Sequence, residues 1–179
     1  MRVLAVIDMQ KDFIDGVLGT KEAAAIVPSV MKKIEEYRQR GDMVIFTRDT
    51  HHEDYLDTRE GRKLPVPHCI EGSEGWKIWP DIDTEGSLII DKPSFGSPEL
   101  AALLQKKNRQ EPLEGIELIG LCTDICVISN AIMIKNSLPE TEVSVDPLCC
   151  AGVMPETHHN ALKAMSMCQI DIKSKGEEK

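Results

Sequence analysis

Four short segments of the chain carry side chains suited to one reaction: Asp8 in AVIDMQ, Asp49 and His51 in FTRDTH, Lys92 in IIDKPSF, and Cys126 in GLCTDIC. A thiol can attack a carbonyl carbon, a carboxylate can carry the proton, and an ammonium can hold the negative charge that passes between them. Together these types suit hydrolysis through a covalent intermediate. Each segment closes an apolar run that reads as a strand. In an open parallel α/β sheet, the carboxyl ends of the strands and the loops beyond them form the ligand crevice. Residues far apart in sequence are expected to meet there.

Cys126 follows a strand, the turn Gly120-Leu121-Cys122, and Thr123, a good N-cap residue. This count places the thiol at the third position of a helix. There the positive end of the helix dipole would lower its pKa, and free N–H groups could hold an oxyanion. Cys122 is a rival thiol in the turn before the cap. Lys92, directly after an apolar strand, could hold a thiolate. Asp8 could take the thiol proton and return it to a leaving amine. Taken singly, each has a plainer role: a small buried cysteine, a solvated lysine, an aspartate capping a turn.

A second cluster lies beside the first. Asp49 and His51 are two residues apart, so in an extended segment they share a face and can bind one ion. Glu60 and His68 follow in a long loop. Mixed carboxylate and imidazole ligands suit one divalent Zn, Mn or Fe ion better than calcium. The plainer alternative makes His51 and His52 exposed loop residues and His68 a turn residue.

Short β-branched runs alternate with segments of helical period. Strands are expected over Val3–Ile7, Met43–Thr47, Ser87–Ile90, Ile116–Ile119, Glu142–Val145 and Gln169–Ile172, and helices over Pro28–Arg40, Ser97–Lys107, Asp124–Asn136 and Pro155–Met167. This pattern predicts an α/β fold: one doubly wound domain over residues 1–172, with a six-stranded, mostly parallel sheet and helices on both faces. The segment from Arg48 to Asp83 breaks the rhythm. Its length and its Trp76 and Trp79 mark it as an ordered loop that walls the site. The charged tail 173–179, KSKGEEK, reads as frayed.

A chain of 179 residues with 41% hydrophobic content suits one domain with a sizeable core. With 21 Lys and Arg against 30 Asp and Glu, the net charge is −9, and no basic patch suits nucleic acid. The opening apolar run is too short for a signal peptide, and no run approaches membrane-spanning length. A cytoplasmic protein without a membrane partner is expected. The six cysteines lack C-x-x-C pairs and are expected to be reduced, without a thiolate zinc cage.

Five ordered motifs then join these observations: D-x-Q-x-D-F (Asp8, Gln10, Asp12, Phe13), T-R-D-x-H, P-x-P-H-C (Pro65–Cys69), strand-end D-K with Phe95, and G-x-x-T-D-x-C-V (Gly120–Val127). In them, and over nearly its whole length, the chain resembles the isochorismatase-like cysteine hydrolase superfamily, most of all its nicotinamidase-related amidases. The resemblance implies a Rossmann-like three-layer fold and a catalytic triad of Asp8, Lys92 and Cys126. It also implies a cis peptide before Cys122, so that the N–H groups of Cys122 and Cys126 form the oxyanion hole. A small-molecule amide would be cleaved through a thioester, with nicotinamide the first candidate. The metal-binding members use positions matched by Asp49, His51 and His68. Glu60 is chosen as the third ligand over Asp54 and Asp57. A homo-oligomer is implied as well. Nicotinamidases generally carry a large aromatic residue where this chain reads Leu64-Pro65-Val66-Pro67, and more aromatics than Phe95 after the lysine. Phe13 and Phe95 are the expected substrate contacts, with Tyr55 and Trp76 as further candidates for a stacking wall. The alternatives are a superfamily hydrolase of another kind, acting on carbamoyl or ureido groups or resembling isochorismatase itself, and a non-catalytic small-molecule binding protein of the same fold.

Overall fold

The run Val3–Ile7 is fully enclosed, as a strand covered on both sheet faces must be. In the computed structural model, which describes residues 1–173, it lies in β1 (Arg2–Ile7). The chain continues through α1 (Lys11–Ile14), α2 (Lys21–Gln39), β2 (Met43–Asp49), α3 (Arg59–Lys63), β3 (Leu88–Lys92), α4 (Pro98–Gln110) and β4 (Gly115–Leu121). A π-helical turn (Thr123–Val127) leads into α5 (Ile128–Ser137), followed by β5 (Val143–Ala151), α6 (Pro155–Met167) and β6 (Asp171–Ile172). The six strands form one sheet in the order β3-β2-β1-β4-β5-β6, and every pairing is parallel.

The order runs outward from β1 in one direction and then from β4 in the other. Right-handed crossovers therefore place α2 on one face and α4, α5 and α6 on the other. In keeping with this, α5 packs on both α4 and α6, while α2 lies across β1, β2, β4 and β5. The reversal of strand order falls between β1 and β4, the place where open parallel sheets form their ligand crevice beyond the strand ends. Asp8 follows one of these strands and Cys126 the other.

The expected α/β architecture holds, with shifted ends. α2 starts at Lys21, with the Thr20 hydroxyl accepting from Ala23 N–H, so Pro28 lies inside the helix instead of opening it. Pro28 faces solvent, where the carbonyl it cannot serve is open to water. β2 and β3 each run two residues further than expected because their pairing continues to Asp49 against Lys92. β5 passes beyond Asp146-Pro147 by a register shift against β4. Of the segment 48–83, Tyr55–Asp57 forms a 3-10 turn and Arg59–Lys63 the short α3, and bridges join Gln10 to Ile78 and His51 to Ile70.

Lys173, expected to begin a frayed tail, donates its N–H to the Val145 carbonyl at 3.0 Å. The rest of the tail lies outside the described residues. All six cysteines are free. Among the described residues, no helix is long and apolar enough to cross a membrane.

Gly120 near the end of β4 adopts φ +116, and a Cβ there would lie 2.1 Å from the Ile7 carbonyl oxygen. Only glycine lets β4 approach β1 so closely at the crevice. Gly120→Ala is expected to cost about 3 kcal/mol or more through overpacking and the disfavoured φ. A lowered urea midpoint is the measurement.

Candidate active site

The end of β1 delivers Asp8 in a left-handed conformation, φ +47, uncommon for any residue with a side chain. Its enclosed carboxylate accepts from Thr47 Oγ1 at 2.7 Å and lies 2.6 Å from Lys92 Nζ. Lys92 closes β3, pairs in register with Asp49, and is 1% exposed. A buried ammonium needs partners on every side. Lys92 Nζ has Asp8, Asp49 Oδ1 at 3.3 Å, the Ser94 carbonyl at 3.1 Å and Cys126 Sγ at 3.5 Å. The tertiary structure thus brings Asp8, Lys92 and Cys126 into one buried group, as their strand-end positions predict.

The turn carrying the thiol differs from expectation. Thr123 does not cap a regular helix; its hydroxyl pairs with His158 Nδ1 at 2.8 Å. Residues Thr123–Val127 form a π turn with Cys122 at its N-cap, and α5 starts only at Ile128. The Leu121–Cys122 peptide is cis, as the resemblance implies.

The expected lowering of the thiol pKa by the helix dipole is overturned. Burial pushes the Cys126 thiol well above its ordinary value, the Asp8 carboxylate adds to the shift, and Lys92 opposes it. Cys122 is likewise pushed up to about 12, chiefly by burial. Burial also raises Asp8, again against the pull of Lys92. Burial would lower Lys92, but Asp8, Cys126 and Asp49 outweigh it and hold the ammonium above the usual lysine range. A firmly charged lysine therefore faces two acids that burial has made weaker.

Beside this group, ligand atoms of Asp49, His51, Glu60 and His68 all lie within 4.8 Å of one another. His51 Nε2 is buried, has no hydrogen-bond partner, and stands 3.0 Å from Asp49 Oδ2. His68 Nδ1 bonds the Val66 carbonyl at 2.8 Å, which fixes that nitrogen as the donor and leaves Nε2 with a lone pair for a ligand. Glu60, presented by α3, reaches within 3.7 Å of His51 Nε2, whereas Asp54 and Asp57 are exposed. An orphaned buried imidazole nitrogen beside two carboxylates fits a divalent cation. Burial acts against the Asp49 carboxylate, but His51, His68 and Lys92 outweigh it and hold Asp49 below the usual carboxylate range. Burial would lower His68, but the Asp49 carboxylate, 3.6 Å from its Nε2, outweighs it and raises it.

Tyr55 backs this cluster instead of lining a substrate wall. Its ring packs 4.7 Å from His51 and 5.1 Å from His68, and its hydroxyl donates to the Leu64 carbonyl. Trp76 is also committed elsewhere: Arg48 stacks 3.6 Å over its ring, and its Nε1 donates to Thr50 Oγ1. Phe13 lies 5.7 Å from His68, while Phe95 is 45% exposed on the loop after Lys92.

Three positioning contacts escape sequence reasoning. Thr47 orients Asp8. The buried Gln10 amide accepts from Asp49 N–H at 2.7 Å and donates to the carbonyls of Asp49 and Trp76. It ties the acid strand, the metal strand and the long loop together. Asp12 accepts from Cys69 N–H at 2.8 Å and so holds the left-handed turn after His68. Gln10 and Asp12 do recur in the motif D-x-Q-x-D-F, the one sequence signal that pointed to them.

The chain matches the family described as Isochorismatase domain over residues 2–174. It is 26% identical to the nicotinamidase/pyrazinamidase of Mycobacterium tuberculosis, over 96% of this chain and 98% of that protein. Among solved structures it is similar to the pyrazinamidase of Pyrococcus horikoshii in complex with zinc, with TM-score 0.81, 27% identity, and coverage of 97% and 98% of the two chains. It is also similar to the N-carbamoylsarcosine amidase of Thermoplasma acidophilum, with TM-score 0.77, 25% identity, and coverage of 98% and 97%.

Proposed function

The chain belongs to the isochorismatase family, and on that premise we propose that it is a metal-containing cysteine amidohydrolase that cleaves a small carboxamide, with nicotinamide the first candidate. The observation that carries the reading is the buried contact of Lys92 with both Asp8 and Cys126.

Burial raises the thiol and the carboxylic acid together, so proton transfer from Cys126 to Asp8 exchanges two weakened acids beside a fixed positive charge. The Cys126 sulfur attacks the amide carbon, and the N–H groups of Cys122 and Cys126 hold the oxyanion. Asp8 returns the proton to the leaving nitrogen, ammonia departs, and a thioester remains. Asp8 then takes a proton from water as its oxygen attacks the thioester carbon, and the carboxylate product leaves the regenerated thiol. Lys92 neutralises whichever of Asp8 and Cys126 is anionic.

Asp49, His51, Glu60 and His68 would hold the ion, which supplies Lewis acidity and a docking point for a substrate lone pair. Exchanging the ligands one at a time, His51→Ala or Glu60→Gln, is expected to weaken zinc binding about a hundredfold or more, since loss even of the groups that orient such ligands costs up to that much. Metal content per chain after dialysis is the measurement. Full metal content in both variants would remove the cluster from the proposal.

The similarity to the nicotinamidase/pyrazinamidase supports nicotinamide as the first substrate to try. The alternative amide is a carbamoyl or ureido group. It is favoured by the aliphatic stretch Leu64–Pro67 and by the engagement of Tyr55 and Trp76 away from a stacking wall. Phe13 and Phe95 remain the proposed substrate contacts. An assembly of like subunits is part of the proposal, supported by the exposed side chains of Leu148, Val153 and Met154, and light scattering reads it.

Ammonia release from nicotinamide by zinc-loaded protein tests the reading, with Cys126→Ala alongside. Release by the wild type alone is expected. Silence on nicotinamide with release from an N-carbamoyl amino acid would shift the substrate. Silence on both would favour a binding protein.

A further inference from the structure

One buried side chain outside the triad touches both segments that carry it. Asn130, 1% exposed, lies one turn beyond Cys126 on α5. Its Nδ2 donates to the Cys126 carbonyl at 2.8 Å and to the Phe95 carbonyl at 3.1 Å, and its Oδ1 accepts from Ser97 N–H at 2.9 Å. One amide therefore joins the backbone of the nucleophile to the loop that follows Lys92. Two carbonyls on one side and an N–H on the other permit only one orientation of the amide.

We propose that Asn130 is a positioning residue, which sets the separation between the Cys126 thiol and the Lys92 ammonium by clamping the β3–α4 loop onto the nucleophile turn. The inference rests on the amidohydrolase reading for its consequence in turnover. Its geometry stands independently.

The argument starts from what Lys92 needs. Besides Asp8 and Asp49, its ammonium is oriented by the Ser94 carbonyl, which belongs to the same loop. Asn130 holds the next carbonyl, that of Phe95, and then Ser97, whose hydroxyl caps α4 through Leu100 N–H. Between them, Gly96 brings the loop against α5, since a Cβ there would lie 3.0 Å from Met133 Cε. The loop is thus fixed on both sides of Gly96. Without Asn130, the Ser97 N–H is left buried without its partner, and the loop loses its hydrogen bonds to α5 and, through them, its tie to the Cys126 carbonyl. A shift of a fraction of an ångström there changes the contact between charge and thiol, to which rates are sensitive.

Ser129 provides the comparison. Its hydroxyl donates to the Ile125 carbonyl at 2.6 Å, so the hydroxyl serves the same turn, while only the Ser129 Cβ and carbonyl, which alanine keeps, face Gly96 of the loop.

The test uses zinc-loaded protein carrying Asn130→Asp, Asn130→Leu or Ser129→Ala. Asp keeps the size and the acceptor but loses both donors. If Leu fails to fold, Asp decides the matter. In folded Asn130→Asp, kcat for the amide is expected to fall about tenfold or more with KM within about twofold. Alkylation of Cys126 by iodoacetamide at fixed pH, followed on its peptide, is expected to change by about threefold or more. Ser129→Ala should keep both rates within about twofold.

Unchanged rates in both folded Asn130 variants, or equal losses in Ser129→Ala, would overturn the proposal. Alkylation needs no substrate, so the two readings fail separately. Altered Cys126 alkylation in a protein that turns over no amide keeps the clamp and removes the amidase. Normal turnover in the Asn130 variants keeps the amidase and removes the clamp.

Discussion

Replacing Cys126 by alanine is expected to lower amide turnover by about a thousandfold or more, because loss of a covalent nucleophile removes the route rather than one contact along it. The fold should survive. Cys126 is small, and its loss leaves Lys92 bound to Asp8, Asp49 and the Ser94 carbonyl, so no buried charge is stranded. The cavity left by one sulfur costs about 1–2 kcal/mol. Ammonia release and a thermal melt on the same preparation check both halves. Turnover above a few per cent of wild type in a pure variant would mean that another group attacks, and Cys122 is the first to test.

Lys92→Met is expected to destabilise the protein by about 3–5 kcal/mol as well as abolish turnover, since it leaves two buried carboxylates, Asp8 and Asp49, facing each other without their cation. The pH dependence has a definite sign. In the native protein Lys92 pulls Asp8 down against the effect of burial, so removing it raises the folded-state pKa of Asp8 further. The folded chain then holds a proton that the unfolded chain releases above the ordinary carboxylate range. Stability must fall as pH rises through that window. Urea midpoints of chelator-treated wild type and variant at about pH 5 and about pH 8 provide the test, with the gap between the two proteins wider at the higher pH. A gap that narrowed with pH would show that Lys92 is not the cation that these carboxylates depend on.

Much of this arrangement could be read along the chain. Alternating β-branched and helical-period segments are local patterns, and they predicted the doubly wound sheet although its strands run longer than their apolar cores. Asp49 and Lys92 lie inside β2 and β3 because parallel pairing carries polar residues along with it, which no apolar count registers. The helical period alone places the start of α2 at Pro28, yet the helix begins at Lys21 and its exposed face accommodates the proline. Glu60 was chosen over Asp54 and Asp57 from its approach to Pro-Val-Pro-His. In the structure α3 turns Glu60 into the cluster with Asp49, His51 and His68, while the two aspartates face solvent.

Residue types at strand ends, and the order in which the chain delivers them, were enough to nominate Asp8, Lys92, Cys126 and the Asp49–His51 pair, because strand ends share one edge in any parallel sheet. The electrical character of those groups was decided by tertiary packing. A helix dipole can be inferred from a cap and a count of residues, and it argued for an acidic thiol. Desolvation depends on what covers the group from distant parts of the chain, and here it raises Cys126 and Asp8 together against the pull of Lys92. For the same reason Asn130 gave no signal as an asparagine in a helix. Its role exists only where α5 meets the β3–α4 loop, 33 residues away in sequence at Ser97.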